Sequence, residues 1–528
     1  MSTTRVEIYD TTLRDGTQQE GISLTARDKL KVAALLDTLG VAYIEGGWPG
    51  ANPKDDEFFR RAKTELNLEA STLVAFGSTR KADVKPQDDE QLAALLAADT
   101  DVICLVGKAW DYHVDHALRT SHDEALKMIG ESVEYLRSKG RRVFFDAEHF
   151  FDGYRDNPDF ALSTLRVAHD AGAEQVVLCD TNGGFLSHDV QRVVGEVGEA
   201  LGDATLGCHF HNDSGMAVGN SITAVLEGVT QVQGCLNGYG ERTGNADLAS
   251  LIPNLSLKMG IQTIPEERLH KLTTVSHHLA EIVNLTLDPH LPYVGSSAFT
   301  HKAGLHTSAL ARRSDAYEHM DPATIGNATR VVVSELAGRS TVLAKAKAQG
   351  LDLTSQDAQV VVDRIKELEH LGYHFEAADG SFELLLREAQ GWKQDFFDLE
   401  SYRVFVEHRT GEVVAEATVK VFVGDERVVT TREGDGPVSA LDRALRAALV
   451  GNYPEIADIT LTDYRVRDLD SSDGTSARVR VLCEHADIET SWGTVGVHEN
   501  IIDASWKAVV EGLVIGLLRC KERNGNEA

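Results

Sequence analysis

The chain has 528 residues, 42% of them hydrophobic and 25% charged, with a formal charge of −30. That length implies two to four domains with ample apolar material for a core. The negative charge excludes a duplex nucleic-acid binder and an acidic membrane surface as partners. No apolar run is long enough to span a bilayer. The N-terminus runs straight into a strand pattern, so no signal peptide is expected. Six cysteines lie scattered without a CxxC pair, which suits buried thiols in a reducing cytoplasm.

The first half alternates short apolar runs with amphipathic segments, eight times. The predicted strands are Val6–Asp10, Tyr43–Gly47, Thr72–Gly77, Val102–Gly107, Val143–His149, Gln175–Asp180, Thr205–Phe210 and Gln231–Leu236. Between the first two, Val32, Leu35, Leu36 and Leu39 keep helical spacing, and Thr25 with Asp28 can cap that helix. Eight βα units in this length predict an α/β fold with a (β/α)8 TIM barrel over residues 1–264. A doubly wound open sheet is the alternative, and it offers no reason to stop at eight. Residues 265–394 read as helical linker subdomains. Residues 395–528 read as a C-terminal α+β domain with an internal repeat. Its first unit is Val419–Val423, Arg427–Arg432 and helix Val438–Val450; its second is Val479–Cys483, Ile488–Trp492 and helix Asn500–Leu517.

Strand seven ends in Cys208-His209-Phe210-His211-Asn212-Asp213. Alternate residues share a face, so His209 and His211 point together at the carboxyl end of a barrel strand. They are either a partial metal site or a hydrogen-bonded pair. Strand one ends in Asp10-Thr11-Thr12-Leu13-Arg14-Asp15-Gly16-Thr17-Gln18. Asp15 can add a carboxylate to the same metal, and Arg14 offers a planar fork for a carboxylate or oxyanion; otherwise the two are a loop ion pair. After strand eight, Asn245 follows a glycine-rich loop and is either an oxygen ligand or a helix N-cap.

Three strings, Y-D-T-T-L-R-D-G-T-Q (9–18), C-H-F-H-N-D (208–213) and G-E-R-T-G-N-A-D-L (240–248), resemble the signatures of the Claisen-condensing acyl-CoA synthases. That family comprises 2-isopropylmalate, homocitrate and citramalate synthases, which are divalent-metal TIM barrels. F-T-H-K-A-G-L-H (299–306) resembles its linker-domain catalytic segment, and G-D-G-P-V-S-A-L (434–441) resembles a helix start in its regulatory domain. G-G-W-P-G-A-N-P-K-D (46–55) and D-A-E-H-F-F-D-G (146–153) look most like the citramalate branch, which joins acetyl-CoA to pyruvate on a threonine-independent route to isoleucine.

The resemblance implies Asp15, His209, His211 and Asn245 as ligands of Mn2+, Zn2+, Co2+ or Mg2+. It implies Arg14 at the nascent alkoxide, Thr181 at the keto-acid carboxylate and Glu148 in proton transfer. Gln18 is a further substrate-binding candidate. His306, supported by Tyr317, is the expected base, delivered by a partner subunit, so a homodimer is expected; His301 is the lesser candidate. Ser308 stands where isopropylmalate synthases carry Asp, so the support of that base can differ. The C-terminal domain is expected to bind isoleucine, or leucine, as feedback inhibitor. The rival readings are an isopropylmalate synthase, a hydroxymethylglutaryl-CoA-lyase type of retro-Claisen enzyme, and a non-catalytic amino-acid sensor. The lyases place a cysteine in the loop after strand eight, whereas Gly238–Asn245 here contains none.

Overall fold

The computed structural model describes residues 5–302, 313–332, 338–409, 412–469 and 477–526. Eight parallel strands close into a barrel: β1 (Glu7–Asp10), β2 (Tyr43–Gly47), β3 (Thr72–Ser78), β4 (Val102–Lys108), β5 (Arg142–Glu148), β6 (Gln175–Asp180), β7 (Leu206–Phe210) and β8 (Gln231–Gly234). Closure is between the first strand and the last, with Tyr9 opposite Gln233 and Asp10 opposite Gly234. The open-sheet alternative is thereby excluded. Helix Ala26–Leu39 starts on the expected capping box, Thr25 and Asp28 each accepting from the other's backbone, and ends on Gly40 in the left-handed region.

The barrel is filled, not hollow. Tyr9, Val74, Phe76, Val102, Cys104 and Phe144 form one buried cluster drawn from β1, β3, β4 and β5, which can meet only inside the barrel. Residues after β8 stay with it: Ser276, on helix Leu272–Ile282, donates to Asn237. The described residues up to Phe299, with Asp321–Ala328, make one compact unit; those of Thr300–Met320 and from Thr329 onward make a second.

In the second unit, two short strands, β9 (Thr300–His301) and β10 (Arg330–Val331), pair in parallel. Helices Arg339–Ala348, Ser355–His370 and Asp379–Ala389 follow. Two three-stranded antiparallel sheets come next: β11 (Asp398–Arg409), β12 (Glu412–Val423) and β13 (Glu426–Gly434), then β14 (Thr460–Asp468), β15 (Val479–Ala486) and β16 (Ser491–His498). A helix follows each sheet, Pro437–Leu449 and Ile501–Asn526. Each repeat therefore has a first strand that the sequence reading lacked. Tyr402 on β11 and Tyr464 on β14 hold matching places, each just after a register shift in its strand, and their hydroxyls meet Asp503 and Ser505 on the last helix. The expected strand at Ile488–Trp492 is displaced. Asp487 Oδ1 accepts the N–H groups of Glu489 and Thr490, making a turn that leaves Ile488 87% exposed, and β16 begins only at Ser491.

Candidate active site

The carboxyl ends of β1 and of β3 to β7 with the loops after them, joined by Trp48 after β2 and Glu241 after β8, surround a cavity of about 590 Å³. Arg14, Asp15, Gln18, Glu148, Thr181, His209 and His211 all line it. Beyond β1, Asp10 accepts the Thr12 N–H at 2.8 Å, and Thr12 Oγ1 accepts the Leu236 N–H at 3.0 Å. These bonds tie the β1 loop to the β8 loop and aim Arg14 and Asp15 over the barrel mouth.

Asp15 Oδ2 lies 3.3 Å from His209 Nε2 and 3.6 Å from His211 Nε2. All three residues are buried, and one donor atom from each falls within 4.8 Å of the others. Asp15 Oδ1, His211 Nδ1 and Asn245 Oδ1 are buried without a hydrogen-bond partner. Unpaired buried acceptors are costly, and a carboxylate, two imidazoles and an amide oxygen are what a divalent ion takes as ligands. The donor set therefore fits a metal.

Electrostatics prepares these groups. Burial alone would raise Asp15, but Arg14 and His209 outweigh it and hold the carboxyl well below the usual range. Burial, then neighbouring His209, pushes His211 down to about 4, leaving a neutral imidazole. Burial opposes a charge on His209, yet its bond to Asp15 raises it overall.

Asn245 is set by its glycine loop. Its backbone bridges to His211, and its Nδ2 donates to the Tyr239 carbonyl at 3.2 Å, which leaves Oδ1 free. Gly244, at φ +90°, permits this path, because a Cβ there would lie 1.9 Å from the Gly238 carbonyl oxygen. The N-cap reading of Asn245 fails: Asp247 caps helix Leu248–Pro253 by accepting from Ala249 N.

Arg14 Nε donates to Glu45 Oε1 at 2.5 Å, and its guanidinium carbon stacks 4.0 Å from the centre of the Phe76 ring. The outer Nη1 reaches within 3.4 Å of Asp15. Glu45 is fully buried and also accepts from Tyr9 at 2.6 Å. Glu148 pairs with Lys108, which sits directly opposite it in the β4–β5 register. Thr181 Oγ1 accepts the His149 N–H at 2.9 Å, so its own hydrogen remains to be donated. Gln18 closes the 3-10 turn after Asp15 and is exposed at the cavity rim.

Glu45, Lys108 and Gln233 escaped the sequence reading. Glu45 had a signal, a lone acid inside the apolar strand Tyr43–Gly47. Gln231 and Gln233 had one too, as two amides at period two in β8. Lys108 had none, because its partner is on another strand. A second acidic grouping, Glu45, Cys104 and Asp146, is already bonded internally: Glu45 to Arg14 and Tyr9, Asp146 to Gln233. Cys235, buried at the end of β8, is 3.1 Å from the Thr11 hydroxyl.

His306 and Ser308 lie outside the described residues. Tyr317 is 48% exposed in the second unit, just after the 3-10 turn Ser314–Ala316. His301 Nε2 is 3.5 Å from Glu318, which accepts from Thr329.

The HMGL-like family model matches residues 5–278, a homocitrate synthase post-HMGL domain-like model matches 293–372, and a LeuA allosteric (dimerisation) domain model matches 376–515. An (R)-citramalate synthase of Aquifex aeolicus is 49% identical, covering 98% of this chain and 99% of that protein. One of Streptomyces coelicolor is 52% identical, covering 97% and 96%. A probable 2-isopropylmalate synthase of Methanopyrus kandleri is 32% identical over 96% of this chain and 98% of its own length. From an HMGL-like barrel to a LeuA-type C-terminal domain, the chain belongs to the (R)-citramalate synthase family.

Proposed function

We propose that the chain condenses acetyl-CoA with pyruvate and water, giving (R)-citramalate and free CoA. The observation that carries this reading is the convergence of Asp15, His209 and His211 with Arg14 in one barrel-mouth cavity, in a chain about half identical to (R)-citramalate synthases over nearly its whole length. Asp15, His209, His211 and Asn245 would hold a divalent ion, Mn2+, Zn2+, Co2+ or Mg2+, which would supply Lewis-acid polarisation of the keto group.

Thr181 donates its free hydroxyl hydrogen to the pyruvate carboxylate, and Gln18 adds a polar contact at the rim. Trp48, Phe76 and Val106 on the cavity wall face the pyruvate methyl. His306, with Tyr317, takes the proton from the acetyl methyl carbon or activates the water that later cleaves the thioester. The new C–C bond turns the keto oxygen into an alkoxide. Arg14 is suited to meet that charge because Glu45 and Phe76 have already fixed its orientation, so little reorganisation is needed as charge develops. Glu148, paired with Lys108, carries the proton to or from the reacting oxygens. Thioester hydrolysis then releases CoA and makes the condensation irreversible.

A LeuA-type dimerisation domain supports a homodimer in which a partner supplies His306. It also supports isoleucine, or leucine, as the inhibitor bound at the C-terminal domain. Incubating acetyl-CoA and pyruvate with metal-replete protein, then separating the product on a chiral column, tests the reaction. (R)-citramalate equimolar with released CoA is expected; CoA release without citramalate would refute the condensation.

A further inference from the structure

Strand β8 carries two amides, Gln231 and Gln233, and both are 0% exposed. Gln233 lies between two polar groups from other strands. Its Oε1 is 2.9 Å from His209 Nδ1, and its Nε2 donates to Asp146 Oδ1 at 2.9 Å. An ionised carboxylate only accepts. Asp146 therefore fixes which end of the amide faces it and turns the carbonyl oxygen toward His209. A carbonyl oxygen also only accepts, so His209 Nδ1 must carry the hydrogen. In the neutral imidazole, the form that binds a metal, the other ring nitrogen, Nε2, then presents the lone pair on the side of Asp15 and His211.

We propose that Gln233, oriented by Asp146, is a positioning residue for the metal. It fixes the tautomer and the ring angle of His209 without touching substrate. The proposal rests on the reading that Asp15, His209 and His211 hold the ion. The chain of contacts extends further, because Asp146 shares its buried site with Glu45, and Glu45 holds Arg14. One continuous polar layer under the cavity floor thus orients both a ligand and the oxyanion-facing guanidinium. Partners of this kind behind a ligating histidine are worth about 10–100-fold in metal affinity.

The test is Co2+ binding to the full-length apoprotein, followed by calorimetry and by the visible absorption of the bound ion. Gln233→Leu should weaken the dissociation constant about 10–100-fold and shift the absorption band. The KM for acetyl-CoA should stay unchanged. The double exchange Asp146→Asn with Gln233→Glu moves the carboxylate one step along the same line. The new amide at position 146 then donates, and the new carboxylate at position 233 accepts from His209 Nδ1, so Co2+ affinity should return to near the unaltered value. An unchanged constant and spectrum in Gln233→Leu would overturn the proposal. If that variant does not fold, weak Co2+ binding by a folded exchange variant overturns it alone. Unaltered Co2+ binding by His209→Ala would instead remove the underlying metal-site reading.

Discussion

Arg14 is held on three sides: by Glu45 through Nε, by the Phe76 face, and by Asp15 at its outer nitrogen. Lysine cannot reproduce that fork. Arg14→Lys should lower kcat by about 10²–10³-fold with a small change in the KM for pyruvate, the mark of a contact made chiefly as the oxyanion forms. Steady-state kinetics checks it; an equal loss in KM would mean that Arg14 binds ground-state substrate. Asp10 gives a pH-dependent case. It is fully buried, and burial pushes its carboxyl up to about 7 while Thr12 supplies its hydrogen bonds. A carboxyl raised in the folded state contributes stability that is complete below its unfolded pKa and lost as pH rises through about 7. Asp10→Asn, which keeps an acceptor for the Thr12 N–H, should therefore resist urea better than the unaltered chain at pH 8, by about 1–2 kcal/mol. At pH 5 the advantage should be smaller, because only the first part of the interval between the unfolded and folded pKa has been crossed.

At the scale of elements, strand ends make the site and a glycine loop completes it. Gly244→Ala would drive a Cβ into the Gly238 carbonyl and displace the segment that carries Asn245 and bridges to His211. Co2+ affinity should fall at least tenfold, about 1.4 kcal/mol, while the circular dichroism of the barrel is kept. Asp15, His209 and His211 were legible because each sits at or just beyond a strand end with polar neighbours beside it. Period two also put both histidines on one face. The supporting shell was illegible for a definite reason: Lys108 and Glu148 are 40 residues apart, Gln233 and Asp146 87 apart, and only the barrel register brings them together. The barrel strands were found to within about two residues, since buried parallel strands are continuous apolar runs. β11 and β14 were not. Their outward residues, such as Glu407 and Arg467, are exposed and break the apolar signal.

For the whole molecule, the C-terminal sheets do not stand apart from the helices before them. Val495 and Val497 of β16 share one buried cluster with Val361, Ile365 and Phe382 of the preceding helices. Ending the chain near residue 394 would expose that cluster. Such a truncation should give a protein in which helices Ser355–His370 and Asp379–Ala389 are rapidly cut by protease; their survival would show that they fold alone. The regulatory claim is tested on the intact chain. Isoleucine should inhibit CoA release by the unaltered enzyme at sub-millimolar to millimolar concentration, and no inhibition in that range would remove it. Neither test touches substrate choice. One methylene in an apolar pocket is worth only about 1–3 kcal/mol, so relatives that differ in acceptor can share every polar residue of this site. The most direct measurement is CoA release from acetyl-CoA with pyruvate, 2-oxobutyrate, 2-oxoisovalerate and 2-oxoglutarate, each with and without EDTA. Turnover abolished by EDTA, restored by divalent metal and highest in kcat/KM for pyruvate is the predicted result; EDTA-insensitive turnover, or a preference for 2-oxoisovalerate, would contradict it.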